Sequence, residues 1–280
     1  MTPPLVPDPF YWTSSPCGTV LRCRPLDAIA PHVFTTRALS LLSREDWSRV
    51  AEAVGTERVA TLEQVHSRDV VTITRDTPTP AQRPAADALV SNHPPVAVAV
   101  RTADCVPLLL ADTATGAVAA VHAGWRGTVA GVARAAVEAM QDRFGVTARN
   151  LVVAMGPSIG ACCYRVGQDV VDAFTAAGHA ALERWFVRPD SGSGVRDPEV
   201  RLDLIAANRD QLILAGVPEA QIHACGLCTA MHLDVLTSYR AEKDNAGRLA
   251  AAIRCRAYNP ATGSDPSDVF DRGLTPKELL

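Results

Sequence analysis

An α+β fold, a single domain with a central mixed β-sheet flanked by helices, is the architecture this sequence predicts. Three observations carry it. Short runs rich in Val, Ala and Leu follow one another at hairpin spacing between positions 88 and 155, as buried strands do. Helical periodicity is grouped elsewhere, at 129–144 and through the second half, rather than alternating with every strand. The chain has 280 residues, 48% of them hydrophobic, enough for a large core, and it shows no internal repeat or low-complexity block.

From the N-terminus, residues 1–30 carry Pro3, Pro4, Pro7 and Pro9 and read as an irregular arm. Coherent patterning begins at Pro31. A helix is expected over 47–54, a strand over 59–65 leading into His66, and a second strand over 70–74 before a Pro-rich loop at 77–86. The dense apolar runs are 88–90, 96–100, 106–111, 118–122 and 151–155. Between the last two, Val129, Val132, Ala133, Ala136, Val137 and Met140 recur at helical spacing. Gly127-Thr128 offers that helix an N-cap and Gly145 a stop. Further helices are expected at 170–177, 180–186 and 203–215, with a Ser/Gly/Pro loop over 188–198. Residues 257–280 are polar and Pro/Gly-rich and read as a loose tail.

Composition narrows the function. The net charge is −3, which argues against a nucleic-acid partner, since a duplex binder needs a basic face. Apolar runs stop far short of the ~18–20 residues of a membrane helix, and the proline-broken N-terminus does not resemble a signal peptide. A cytoplasmic protein with no membrane partner is expected, its eight cysteines reduced. Lys243 and Lys277 are the only lysines, so the positive charge is nearly all arginine and one arginine alone says little about phosphate.

Chemistry concentrates in Arg101-Thr102-Ala103-Asp104-Cys105-Val106-Pro107 and His122-Ala123-Gly124-Trp125-Arg126-Gly127. If 106–111 and 116–121 pair around the four-residue turn between them, Cys105 and His122 face each other at the open end of the hairpin. Such a pair suits two ligands of one metal or a thiol–imidazole dyad. A catalytic zinc takes three protein ligands and leaves one position open; His66 is the candidate third, though spacing alone does not select it among seven histidines. Gly124 and Gly127 flank a strand-to-helix turn whose backbone amides can face an anion, with Arg126 adding charge.

These blocks carry a resemblance. Together with Gln64-Val65-His66, Ala86-Asp87-Ala88, Gly156-Pro157-Ser158-Ile159-Gly160, Cys162-Cys163-Tyr164, Cys228-Thr229 and Ser238-Tyr239-Arg240, the chain resembles the YfiH family of laccase-domain proteins. The resemblance covers residues 31–256, which it marks as the catalytic domain. It implies zinc held by His66, Cys105 and His122, phosphorolysis of adenosine, inosine and methylthioadenosine, and deamination of adenosine. A purine nucleoside and phosphate are then the partners. Zinc-activated water can attack C6 of adenine, whereas phosphorolysis needs an anion beside C1′, for which Arg37 and Arg126 are candidates. Trp125 can stack on a purine. Asp104, next to a ligand, is a candidate acid/base or an orienter of a zinc histidine.

Rival readings remain. Several coppers would need close histidine pairs that are absent, yet a His2Cys set binds Cu2+ more tightly than Zn2+ in vitro, which leaves a laccase-like polyphenol oxidase open. Without metal, Cys105 and His122 make a thiol amidase of the kind peptidoglycan precursor editing would use. A zinc-bearing interaction module would need a fourth ligand. Cys162, Cys163, Cys225 and Cys228 read as core or pocket-lining residues.

Overall fold

The computed structural model describes residues 3–77, 83–179, 182–187 and 200–256. Its first strands are β1 (Phe10–Ser15), β2 (Gly18–Cys23), β3 (His32–Phe34), β4 (Arg58–Ala60) and β5 (Val70–Ile73). Next come β6 (Ala88–Ser91), β7 (Val96–Thr102), β8 (Val106–Asp112), β9 (Val118–Ala123) and β10 (Leu151–Met155). The remainder are β11 (Arg165–Val166), β12 (Phe186–Val187), β13 (Val200–Leu202), β14 (Ile222–Ala224) and β15 (Leu249–Ile253). The helices are α1 (Arg24–Asp27), α2 (Arg44–Ala53), α3 (Trp125–Ala130), α4 (Val132–Phe144), α5 (Gln168–Ala176), α6 (Leu182–Trp185), α7 (Leu204–Leu214) and α8 (Tyr239–Glu242).

Among the described residues the strands form two six-stranded sheets, β1-β2-β3-β15-β7-β4 and β14-β10-β8-β9-β6-β5, and a small sheet β11-β13-β12. Both large sheets are mixed: β4 runs parallel to β7, β5 to β6 and β10 to β14. The β8 sequence explains the layering. Leu108 and Leu110 pack with Val121, Val153 and the inner faces of α4 and α7, while Leu109 and Ala111 point the other way, toward Val98, Val100, Ala251 and Ile253 of the first sheet. On the far side of the first sheet, Val33, Ala97, Ala99 and Ala252 lie under Val50 and Ala53 of α2. The order is therefore helix, sheet, sheet, helices. The α+β class is as expected, but two facing sheets replace the single central one. An unbroken apolar strand says that both its faces are covered, not whether a helix or another sheet covers them.

Several element boundaries need correction. The expected arm over 1–30 contains the β1–β2 hairpin and α1, with Val20, Leu21 and Cys23 buried. Pro16 falls in the turn between β1 and β2, and the other prolines of this region lie before Phe10 or at the start of α1, so every residue of the two strands keeps the N–H that a ladder needs. The expected helix over 129–144 is two helices. Gly131, at φ +82, parts α3 from α4, and Gly127-Thr128 lies inside α3 rather than capping it; Gly145 ends α4 in the left-handed conformation as expected. The strand expected over 59–65 is confined to β4, and Phe186 leaves the expected 180–186 helix for β12. The 188–198 loop and the 257–280 tail lie outside the described residues. No described helix is long and apolar enough to cross a membrane.

His32 ties the hairpin to the first sheet. Its Nε2 accepts from the Cys23 amide at 2.9 Å and its Nδ1 donates to the Ala30 carbonyl at 3.1 Å. Complete burial pushes its pKa down to about 4 from 6.5, against the pull of Asp27. The unfolded chain therefore binds the extra proton between those values, and stability falls as pH drops through that window. We expect urea unfolding to show a loss of about 3 kcal/mol between pH 6.5 and 4 from this group, largely missing in His32→Gln. Equal pH slopes in the two proteins would contradict a buried neutral imidazole.

Candidate metal centre

The candidate site lies where the chain passes between the two large sheets. His66 sits on the crossover from β4 to β5 and Cys105 on the crossover from β7 to β8, while His122 is on β9. In the β8–β9 hairpin Val106 pairs with Ala123 and Pro107 with His122. Cys105 therefore lies diagonal to His122, not opposite it as the assumed register had it. The difference is two residues, which leaves both side chains on the same face.

The Cys105 Sγ lies 3.9 Å from His66 Nε2, and the His66 and His122 rings meet edge-on with centroids 4.9 Å apart. One donor atom from each of the three residues falls within 4.8 Å of the others. Ligands bound to zinc at about 2.0–2.3 Å stand about 3.3–3.6 Å apart, so small side-chain rotations would close the set. His66 is exposed, Cys105 half-buried and His122 buried, so the group opens to solvent on the His66 side.

Asp87 builds this geometry. Wholly buried at the start of β6, it accepts from His122 Nδ1 at 2.8 Å through Oδ1, and from the Val65 and Ser67 amides at 3.2 and 2.6 Å through Oδ2. It thus fixes the His122 tautomer, leaving Nε2 free to ligate, and clasps the loop on which His66 stands at φ +60. Burial opposes the Asp87 charge, but these hydrogen bonds outweigh it and hold its carboxyl below the usual range. Gln64 adds a second clasp, donating to the Arg101 carbonyl at 2.7 Å and accepting from its amide at 2.8 Å, which ties the His66 loop to the strand that leads to Cys105.

Gly124 leaves the space in which the three donors meet. A Cβ there would stand 2.8 Å from both Cys105 Sγ and His66 Cδ2. Burial pushes the Cys105 thiol up and the His122 imidazolium down, but attraction between them and their hydrogen bonds reverse both effects, so the sulfur favours thiolate and the ring favours its proton. A soft anionic sulfur, two imidazoles and a cleared cradle make a donor set that fits a borderline divalent metal.

The other expected site residues are placed differently. Asp104, at φ +93, accepts from Thr229 Oγ1 and from the Arg240 amide, both at 2.6 Å, and so braces the Cys105 loop against the 229 and 240 segments; the carboxylate that contacts the His122 ring is Asp87. Arg37 pairs with Glu242 at 3.0 Å and donates to the Leu233 and Leu236 carbonyls, so its guanidinium is committed to clasping that segment. Arg126 is exposed, with its guanidinium carbon 4.3 Å from the Trp125 ring centroid, so one face of Trp125 is already covered. Tyr164 and Arg240, which spacing did not single out, pack on each other near the Asp104 loop. Arg240 lies over the Tyr164 ring at 5.0 Å, and Tyr164 feels the charges of Cys105, Asp104 and Arg126 while burial pushes its hydroxyl to about 12. Both belong to quoted sequence blocks, but nothing in the sequence alone brought those blocks to the metal loop.

A cavity of about 480 Å³ bordered by Trp47, Arg58, Arg75, Arg83 and His93 does not touch the donor group.

The family model described as multi-copper polyphenol oxidoreductase laccase matches residues 43–256. The chain belongs to this family, that of YfiH. The chain is 37% identical over 256 residues to the purine nucleoside phosphorylase of Deinococcus radiodurans, covering 83% of this chain and 92% of that one. It is 43% identical over 168 residues to adenosine deaminase RL5 from an unknown prokaryotic organism, covering 60% of this chain and 61% of that one. Among solved structures, Bacillus licheniformis YfiH superposes with a TM-score of 0.77 at 25% identity, covering 89% of this chain and 100% of that one. The chain spans about 60% of the length of the first curated relatives it matches. Among the described residues the donor group holds two histidines and one cysteine, fewer histidines than a multi-copper cluster of laccase type requires.

Proposed function

We propose that the chain is a cytoplasmic, zinc-dependent purine nucleoside phosphorylase that also deaminates adenosine. The observation that carries this reading is the convergence of His66, Cys105 and His122, in a chain whose relatives include enzymes named for both activities. All eight cysteines are free thiols, as a reducing compartment would keep them. When bound, zinc supplies Lewis acidity at an open fourth position.

The chain's own residues supply the rest. Asp87 holds His122 in one tautomer, and Gly124 keeps the approach clear. Arg126 has no carboxylate partner among the described residues and offers its guanidinium to phosphate. Burial pushes the Tyr164 hydroxyl up, so it keeps its proton at neutral pH. Arg37, expected to hold the anion, holds the 233–242 segment instead.

Incubating zinc-quantified protein with adenosine, with and without phosphate, tests the assignment. Adenine that appears only with phosphate marks phosphorolysis; inosine marks deamination. Neither product from folded, zinc-loaded protein would defeat the proposal.

The mutual attraction of Cys105 and His122 also favours one other reading, the thiol amidase. A dyad, however, has no use for His66 or for an Asp87 that grips the His66 loop. We expect chelator-stripped protein to be alkylated by iodoacetamide at Cys105 and zinc-loaded protein to be protected there. Full activity in chelator, abolished by alkylation, would move the assignment to the amidase.

A further inference from the structure

A second group of ligating side chains lies outside this centre. Cys162, Cys163 and Cys228 bring their sulfurs within 4.8 Å of one another, and Cys162 Sγ stands 3.6 Å from Cys163 Sγ. Neighbouring residues of a strand would point apart. Here the chain turns tightly, with the Cys163 and Tyr164 amides both donating to the Gly160 carbonyl at 2.9 and 3.0 Å, and both sulfurs face Cys228.

We propose that Cys162, Cys163 and Cys228 form a second metal site, a three-sulfur centre for a soft monovalent cation, Cu(I). The backbone is already fixed around it. Ser158 bridges to Cys228, the Ser158 amide donates to the Leu227 carbonyl, and the Thr229 amide donates to the Ser158 carbonyl. The Gly160 amide donates to Cys228 Sγ at 3.3 Å, a contact that steadies negative charge on that sulfur. A Cβ on Gly160 would lie 3.3 Å from Cys162 Sγ and 3.4 Å from the Cys228 Cβ, so glycine allows the close approach.

The donor chemistry selects the ion. No histidine or carboxylate joins the group among the described residues. Three sulfurs without oxygen or nitrogen disfavour magnesium and calcium, and a structural zinc would want a fourth ligand. Bonds of about 2.3 Å in a trigonal plane put sulfurs about 4 Å apart, close to the spacing found. Cys162 is exposed and Cys228 buried, so an ion can enter from solvent and meet an anchored ligand. On binding, each thiol releases its proton to solvent, and the copper stays monovalent with no electron transferred. Cys228 precedes Thr229, whose hydroxyl donates to Asp104 next to Cys105, so a filled site would steady a residue one contact away from the first centre.

The test is an anaerobic titration of the full zinc-loaded chain with Cu(I) in competition with bathocuproine disulfonate. We expect uptake of one Cu(I) per chain with zinc retained, and the same uptake in Cys105→Ala. Cys162→Ser and Cys163→Ser, at exposed and half-buried positions that leave the fold in place, should weaken uptake by more than the roughly 10–100-fold that losing an outer hydrogen bond costs a metal site. X-ray absorption should show a sulfur-only, three-coordinate shell. Unchanged uptake in the serine variants, mole-for-mole loss of zinc, a nitrogen-containing shell, or no uptake while all three thiols titrate as reduced would each overturn the proposal.

Discussion

Gly124→Ala should empty the metal centre while leaving the protein folded. The backbone at Gly124, φ −76 and ψ 172, is ordinary for any residue, so the added methyl brings no backbone strain. Its cost falls on the atoms it meets, Cys105 Sγ and His66 Cδ2, each 2.8 Å away. Both belong to side chains that can rotate, and rotation carries them out of ligating position. We expect zinc content to fall to background and nucleoside turnover to drop by more than about 100-fold, because misplacement by an ångström is already costly in a built site. Thermal unfolding of the chelator-stripped variant should match that of the stripped parent. A variant that purifies with full zinc and full turnover would show that the donors meet somewhere other than in this cradle.

Asp87→Ala should have the second large effect, on metal and stability together. The substitution leaves the His122 Nδ1 proton and the Val65 and Ser67 amides without their buried acceptor. Removing one partner from a buried charged network costs about 3–5 kcal/mol, and losing the carboxylate behind a ligand histidine costs about 10–100-fold in metal affinity. Asp87→Asn separates the two. Its oxygen can still accept from the loop amides, so most of the stability should return. Its NH2 would face His122 Nδ1 and favour the wrong tautomer, so the metal deficit should persist. If Asp87→Asn binds zinc as tightly as the parent, Asp87 does not orient His122.

Much of this was legible in the sequence where local pattern decides the outcome. The apolar runs at 96–100, 106–111 and 151–155 are buried on both faces, and Gly145 stops its helix, because burial and left-handed backbone leave strong marks on composition. Cys105 and His122 were brought to one face of a hairpin even with the register two residues out, since the strand period forgives an even error. What stayed hidden depends on contacts between distant segments. Asp104 and Asp87 look alike in sequence, each beside a ligand or a strand. Only the fold sends Asp104 to Thr229 and Arg240, and Asp87 to His122. The same holds for Arg37, whose charge is spent on Glu242, 205 positions along the chain. The β1–β2 hairpin was obscured by prolines that precede its first strand and occupy its turn.

The two crossovers that bear His66 and Cys105 join one sheet to the other, and His122 belongs to the second sheet alone. An ion held by all three would act as a rivet through the sandwich, since sliding one layer over the other pulls its ligands apart. Mechanical and thermal resistance should then rise with free metal concentration, as the logarithm of one plus that concentration divided by the dissociation constant. Loss of the ion would be the earliest event when the layers begin to part.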